Sequence, residues 1–243
     1  MHRFFADRSQ FSENTVRLEG DDVKHISRVL RLRCGDKISV CNKESQDFVC
    51  TLSEIGKDYA LAQIEESMAN GNESELCVTL YQGLPKGDKM DYIIQKSVEL
   101  GAVRIVPVVM KRTVVKPKSA DGKTDRWNRI SEEAAKQCIR GIIPKVESPI
   151  SFEEMLGELE KGGLSILPYE NERQTKLKDI LTQNKTAKNI NIIIGPEGGF
   201  EEEEVATCLS KGVHAVTLGP RIMRCETAPL AAISAVMYEL GDW

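Results

Sequence analysis

From residue 76 onward the sequence alternates short apolar runs with amphipathic segments, and that alternation limits the fold more than any other feature. Strands are expected at Leu76–Tyr81, Arg104–Val109, Leu164–Leu167, Ile190–Ile194 and Ala215–Leu218, and helices at Asp88–Leu100, Asp125–Arg140, Lys176–Leu181, Glu201–Leu209 and Pro229–Leu240. Met90, Ile93, Ile94 and Val98 fall on one face of the first helix, whereas the strands are apolar on both faces. Such strands belong to a parallel sheet covered on both sides, so an α/β fold is predicted. Ligands of these sheets collect at the carboxyl ends of the strands.

The first 70 residues have another rhythm. Phe4–Ala6, Thr15–Leu18, Lys37–Cys41, Asp47–Ile55 and Tyr59–Ile64 carry β-branched or aromatic residues between turns such as Cys34-Gly35-Asp36 and Gly56-Lys57-Asp58, a spacing that suits a small β-barrel. One helix is expected among them, Asp21–Leu32, with Val23, Ile26, Val29 and Leu30 at helical spacing. The polar, turn-rich stretch Met68–Ser74 separates the two rhythms, and domains at residues 1–70 and 74–243 are predicted.

Net charge is -4, but it is unevenly spread. Residues 86–145 hold fourteen Lys and Arg against seven Asp and Glu, while residues 146–243 hold nine against sixteen. A basic stretch in an acidic chain suggests a face for a polyanion, although solvated helix faces would give the same count. The seven cysteines form no Cys-x-x-Cys pair and the three histidines are scattered, so neither a metal site nor a disulfide framework is expected. No apolar run approaches membrane length, and the opening Met1-His2-Arg3-Phe4-Phe5-Ala6-Asp7 is charged too early for a secretory signal; a cytoplasmic protein is predicted, with no membrane partner.

Two segments directly after buried strands carry the candidate chemistry: Gly195-Pro196-Glu197-Gly198-Gly199-Phe200, and Leu218-Gly219-Pro220-Arg221-Ile222-Met223-Arg224-Cys225-Glu226-Thr227-Ala228. Glycines at strand ends let backbone approach a ligand closely. A phosphate-binding loop is the rival for the first segment, but its helix opens with Glu201-Glu202-Glu203-Glu204, four carboxylates where the phosphate would lie. Neither the dinucleotide nor the Walker glycine pattern is present. S-adenosylmethionine (SAM) carries a sulfonium and no phosphate, and it suits such a pocket better than a dinucleotide does. In the second segment Thr227 can cap the last helix and Pro229 fits its first turn. The small residues Ala228, Ala231, Ala232, Ser234 and Ala235 allow close packing, on the chain's own sheet or on another subunit.

These segments, with Lys86-Gly87-Asp88-Lys89-Met90-Asp91, Lys96-Ser97-Val98-Glu99-Leu100-Gly101, Gln137-Cys138-Ile139-Arg140-Gly141, Met1-His2-Arg3-Phe4-Phe5 and His25–Asp36, resemble the RsmE family. These are 16S ribosomal RNA (uracil-N3)-methyltransferases of the SPOUT superfamily. The resemblance spans nearly the whole chain; where the family usually has leucine, Met223 stands here. It implies an N-terminal PUA-like barrel, a C-terminal SPOUT domain with a deep trefoil knot holding SAM, and a homodimer acting on 16S ribosomal RNA of the small subunit.

With position at the strand ends, the resemblance assigns Leu167, Gly195, Pro196, Glu197, Gly198, Leu218, Gly219, Ile222, Met223, Thr227 and Ala228 to the cofactor pocket, where a side chain at Gly198 should exclude SAM. Arg224 is the candidate to hold negative charge on the uracil, and Glu197 the candidate base or orienting group, or else a bond to the loop backbone. RNA contacts are expected from Arg3, His25, Arg28, Arg31 and Arg33 on the barrel, and from Lys86, Lys89, Arg112, Lys116, Lys118 and Arg140 on the catalytic domain. His25 suits a packed residue equally well. Two rivals stand beside this expectation: a SPOUT enzyme acting on transfer RNA or a ribose hydroxyl, and an RNA-binding module without activity.

Overall fold

The computed structural model describes residues 1–114 and 121–243, so Lys116 and Lys118 lie outside the described residues. The chain divides into two compact units, one of residues 1–73 with 135–143, the other of residues 74–134 with 144–243.

The first unit contains β1 (His2–Phe5), β2 (Thr15–Glu19), α1 (Asp21–Lys24), β3 (Lys37–Cys41), β4 (Gln46–Ile55) and β5 (Tyr59–Ala69). They form a five-stranded sheet in the order β1-β3-β4-β5-β2, antiparallel except where β1 runs parallel to β3. Alternate residues, Phe4, Val16, Leu18, Ile38, Val40 and Leu52 among them, close one core with Ile26. The helix expected to reach Leu32 is α-helical only to Lys24 and widens into a π turn over His25–Val29. Leu30 N–H then donates to His25 O at 2.8 Å, and Arg31, at φ 55°, ends the run. The wider turn keeps Val23 and Ile26 inside but turns Val29 out to 67% exposure.

Residues 135–143 complete this unit. The Arg140 guanidinium grips the Glu73 carboxylate at 2.8 Å, and the same carboxylate accepts Gly141 N–H at 2.7 Å. Arg3 bonds Asp47 and the Arg140 carbonyl, both at 2.7 Å. A Cβ on Gly141 would stand 2.9 Å from Ser45 Cα, so only glycine lets these backbones meet. The helix predicted through Arg140 therefore stops at Gln137, and Ile139 adopts φ 60° to make the turn.

The second unit contains β6 (Cys77–Gly83), α2 (Lys89–Glu99), β7 (Ala102–Val109), most of α3 (Asp121–Gln137), β8 (Lys145–Val146), β9 (Ile150–Ser151), α4 (Phe152–Leu159), β10 (Leu164–Pro168), α5 (Leu177–Gln183), β11 (Asn189–Ile194), α6 (Glu202–Ser210), β12 (His214–Val216) and α7 (Ala228–Leu240). Among the described residues its strands form a seven-stranded parallel sheet in the order β12-β10-β11-β6-β7-β8, with β9 also beside β7. Tyr81, Val106, Val108 and Ile193 meet Met155 and Leu159 of α4 and Val205 and Cys208 of α6. Leu80, Ile105 and Ile192, one step out of phase, are buried on the other side, where α2 and α7 contact the sheet. The short strands β8 and β9 and helix α4 were not expected. A capping box starts α4: Ser151 Oγ accepts Glu154 N–H at 3.1 Å, and the Glu154 carboxylate accepts Ser151 N–H at 2.7 Å.

Candidate cofactor site

Both glycine-containing bends leave the sheet at its carboxyl edge, and in the second unit they face one cavity of about 520 Å³. Gly195, Pro196, Glu197, Gly198, Leu218, Gly219, Ile222, Met223 and Ala228, the residues assigned from sequence to a cofactor, line it together with Arg224. Leu167 does not: it is 1% exposed and belongs to the core beneath. Thr227 also lies outside the lining, and although it holds the N-cap position of α7, its side chain makes no capping bond. Pro168, at the end of β10, and Tyr169, Glu170 and Arg173, from the loop after it, supply a wall that sequence reading missed.

The end of β6 sets how near the first bend can come. A Cβ on Gly83 would lie 2.5 Å from Pro196 N and 2.8 Å from Gly195 C, so this strand end must be glycine for the bend to rest on it. Gly199 and Gly219 take φ of 70° and 111°, values a side chain resists. At Gly198 a second constraint acts. Its Cβ would meet Arg112, 3.0 Å from that residue's Cβ, so glycine here gives the arginine room.

Arg112 was expected to meet RNA, and the structure gives it another task. Its Nη1 donates to Gly198 O at 2.9 Å and its Nε to Glu201 Oε1 at 2.8 Å. Glu201 is the N-cap of α6 and is held below the usual carboxylate range by that arginine. Glu204, 2% exposed, accepts Glu201 N–H and Lys111 N–H, each at 2.9 Å. The chain's own carboxylates thus cap the helix start, leaving a nucleotide phosphate nothing to bind.

A compact charge cluster closes the inner wall. Lys89, another expected RNA contact, sets its Nζ 3.3 Å from Glu197 and 3.2 Å from Glu226, so the start of α2 joins the two bends. The bond to Glu226, ahead of the one to Glu197, raises the Lys89 pKa. Burial works against ionisation of Glu197, yet Lys86 N–H at 2.9 Å, its own N–H and Lys89 together hold it below the usual range. Glu226 is likewise lowered against burial, by the Cys225 thiol, its own N–H and Lys89. Cys225 Sγ–H donates to Glu226 at 3.2 Å, and burial pushes this thiol up to about 12. Arg224 stands outside the cluster, its side chain 84% exposed and 3.9 Å from Glu226.

The remaining expected RNA residues separate into exposed and engaged groups. Arg28, Arg31, Arg33 and Lys86 are exposed. Arg3 and Arg140 are not free for phosphate, with side chains 7% and 6% exposed and spent on Asp47 and Glu73. Half-buried His25 sets its ring edge-on to Phe4 at 6.2 Å, a packing role.

Comparison with known proteins agrees with this geometry. The family model of an RNA methyltransferase domain matches residues 72–237, and that of an RNA methyltransferase PUA domain matches residues 18–65. A ribosomal RNA small subunit methyltransferase E of Bacillus subtilis is 35% identical over 98% of this chain and 97% of its own length. A protein of the same name from Synechocystis is 33% identical over 97% of this chain and 77% of its own. The crystal structure of a ribosomal RNA small subunit methyltransferase E from Neisseria gonorrhoeae bound to S-adenosyl methionine superposes with a TM-score of 0.90, at 36% identity, covering 100% of this chain and 99% of that one.

Proposed function

The chain belongs to the ribosomal RNA small subunit methyltransferase E family, and from that premise we propose that it transfers a methyl group from SAM to N3 of a uridine in 16S ribosomal RNA. The observation that carries the proposal is the cavity between the two bends, at the sheet edge where this fold binds ligands, beside a helix start capped by its own carboxylates. About 520 Å³ accommodates a nucleoside-sized cofactor. Backbone of Gly195–Gly198 and Leu218–Gly219 would hold it, with Ile222 and Met223 as apolar walls. SAM supplies an electrophilic methyl on a sulfonium sulfur.

Uracil N3 bears a proton, so bond formation to the methyl carbon requires that proton to leave. Glu197 is a poor acceptor for it, because Lys86 N–H and Lys89 already stabilise its anion. Its role is to fix the first bend, and solvent takes the proton. Arg224, exposed at the mouth, is free to bond the carbonyl oxygen on which negative charge develops. Arg28, Arg31, Arg33 and Lys86 meet phosphate and position the RNA, whose uridine is turned out to reach the cavity.

The same reading carries the trefoil knot in the loops around the cofactor, a cytoplasmic location and a homodimer. No helix among the described residues is long and apolar enough to cross a membrane. For the dimer, Ala231 and Ala235 of α7 line an open apolar groove with Leu177, Leu181 and Tyr238, the last 71% exposed. Sedimentation equilibrium should give twice the chain mass.

Mapping of modified uridines in ribosomal RNA from cells with and without this protein tests the function. Loss of one N3-methyluridine from the small-subunit RNA is expected, restored by 30S particles, enzyme and SAM in vitro. Methylation of transfer RNA alone, or of a ribose hydroxyl, would replace this substrate with another.

A further inference from the structure

We infer that the Lys89–Glu197–Glu226 cluster is the specificity element that makes the site prefer the positively charged cofactor SAM to its neutral product, S-adenosylhomocysteine (SAH). The inference rests on the SAM reading of the cavity and adds to it how product is told from substrate. The two ligands differ by one methyl group and one positive charge, and a charged cluster in the site can read the second. Apolar walls such as Ile222 and Met223 cannot do so.

Seven charged side chains line the cavity. Glu170, Arg173, Arg221 and Arg224 are exposed and screened by solvent. The side chains of Glu226, Glu197 and Lys89 are 19%, 28% and 37% exposed, against 84% for Arg224. Lys89 Nζ touches both carboxylates, at 3.3 and 3.2 Å, so one lysine faces two anions and the cluster keeps one negative charge. Both carboxylates are held below the usual range and stay ionised at neutral pH. The buried Cys225 thiol, pushed up to about 12, stays neutral and adds no charge. A cation entering the cavity meets an unbalanced anion, and loss of its charge on methyl transfer removes that attraction.

The cluster also allows its charge to be moved in both directions. Glu226→Gln leaves a neutral cluster, and Lys89→Met leaves two unbalanced carboxylates. Lys89→Arg keeps the original sum.

Calorimetric titration of the full chain with SAM and with SAH, at low salt and neutral pH, tests the inference through the ratio of the two dissociation constants. Damage to the fold or the bends weakens both ligands alike and cancels in this ratio. Glu226→Gln should reduce the preference for SAM by roughly five- to tenfold, and Lys89→Met should raise it by a similar factor. Lys89→Arg should leave it unchanged. Equal losses for both ligands, with a constant ratio in Glu226→Gln and Lys89→Met, would overturn the inference and make the cluster a purely structural clamp. Failure of the unaltered chain to bind either ligand would overturn the SAM reading itself.

Discussion

A carboxylate that already accepts a backbone N–H and faces an ammonium gains little from a further proton. That is the condition of Glu197, and it decides what the residue does for methyl transfer. Since its pKa is lowered from 4.5, its contribution to stability is present above that value and fades as the pH falls through the lower folded one. Glu197→Gln should therefore leave the shape of the kcat profile between pH 6 and 9 unchanged while weakening SAM; loss of an ionisation from that profile would restore Glu197 as the base. Arg224 stands at the mouth, exposed, with the Glu226 carboxylate 3.9 Å away. Arg224→Ala should lower kcat by about 10²–10³-fold with RNA affinity largely kept, and an unaltered single-turnover rate would remove it from the mechanism. The sequence carried the position of both residues, since each lies in a bend that follows a buried strand. It could not carry Lys86 and Lys89, the partners of Glu197, which lie more than a hundred residues earlier.

Among the elements, the sheet and its bends were legible because backbone demands leave marks in residue type. Apolar runs marked β6, β7, β10 and β11, and glycines marked the bends beyond the strands. A cation leaves no such mark, because lysine and arginine look the same in sequence whether they meet phosphate or a carboxylate of their own chain. The carboxylate bonds of Arg112 and Lys89 were not legible for that reason, and Glu201–Glu204 hid a helix cap within a run of like charges. The two kinds of arginine should separate in measurement. Arg112→Ala, which frees the Gly198 carbonyl and Glu201, should weaken SAM binding and leave the salt dependence of RNA binding unchanged. Arg28→Ala should instead reduce the log–log salt slope by about one and spare SAM. The reverse pattern would return Arg112 to the RNA surface.

For the whole molecule, the informative residues are the nine from Ala135 to Ile143, which belong to the first unit although they follow much of the second. Nothing local in Gln137-Cys138-Ile139-Arg140-Gly141 announces this, because its partners Glu73, Arg3 and Ser45 lie far back along the chain. Removing Arg140 leaves the poorly exposed Glu73 carboxylate without its guanidinium. Arg140→Ala should cost about 3–5 kcal/mol in urea unfolding, and a loss under 1 kcal/mol would show that the pair is solvated and dispensable. The order of synthesis adds a further consequence. The N-terminal sheet leaves the ribosome tunnel before residues 74–134 have followed it, and its last strap arrives only after them. At ordinary elongation rates that is a wait of roughly 3–12 seconds, during which the nascent sheet has Glu73 without its guanidinium and is open to chaperones.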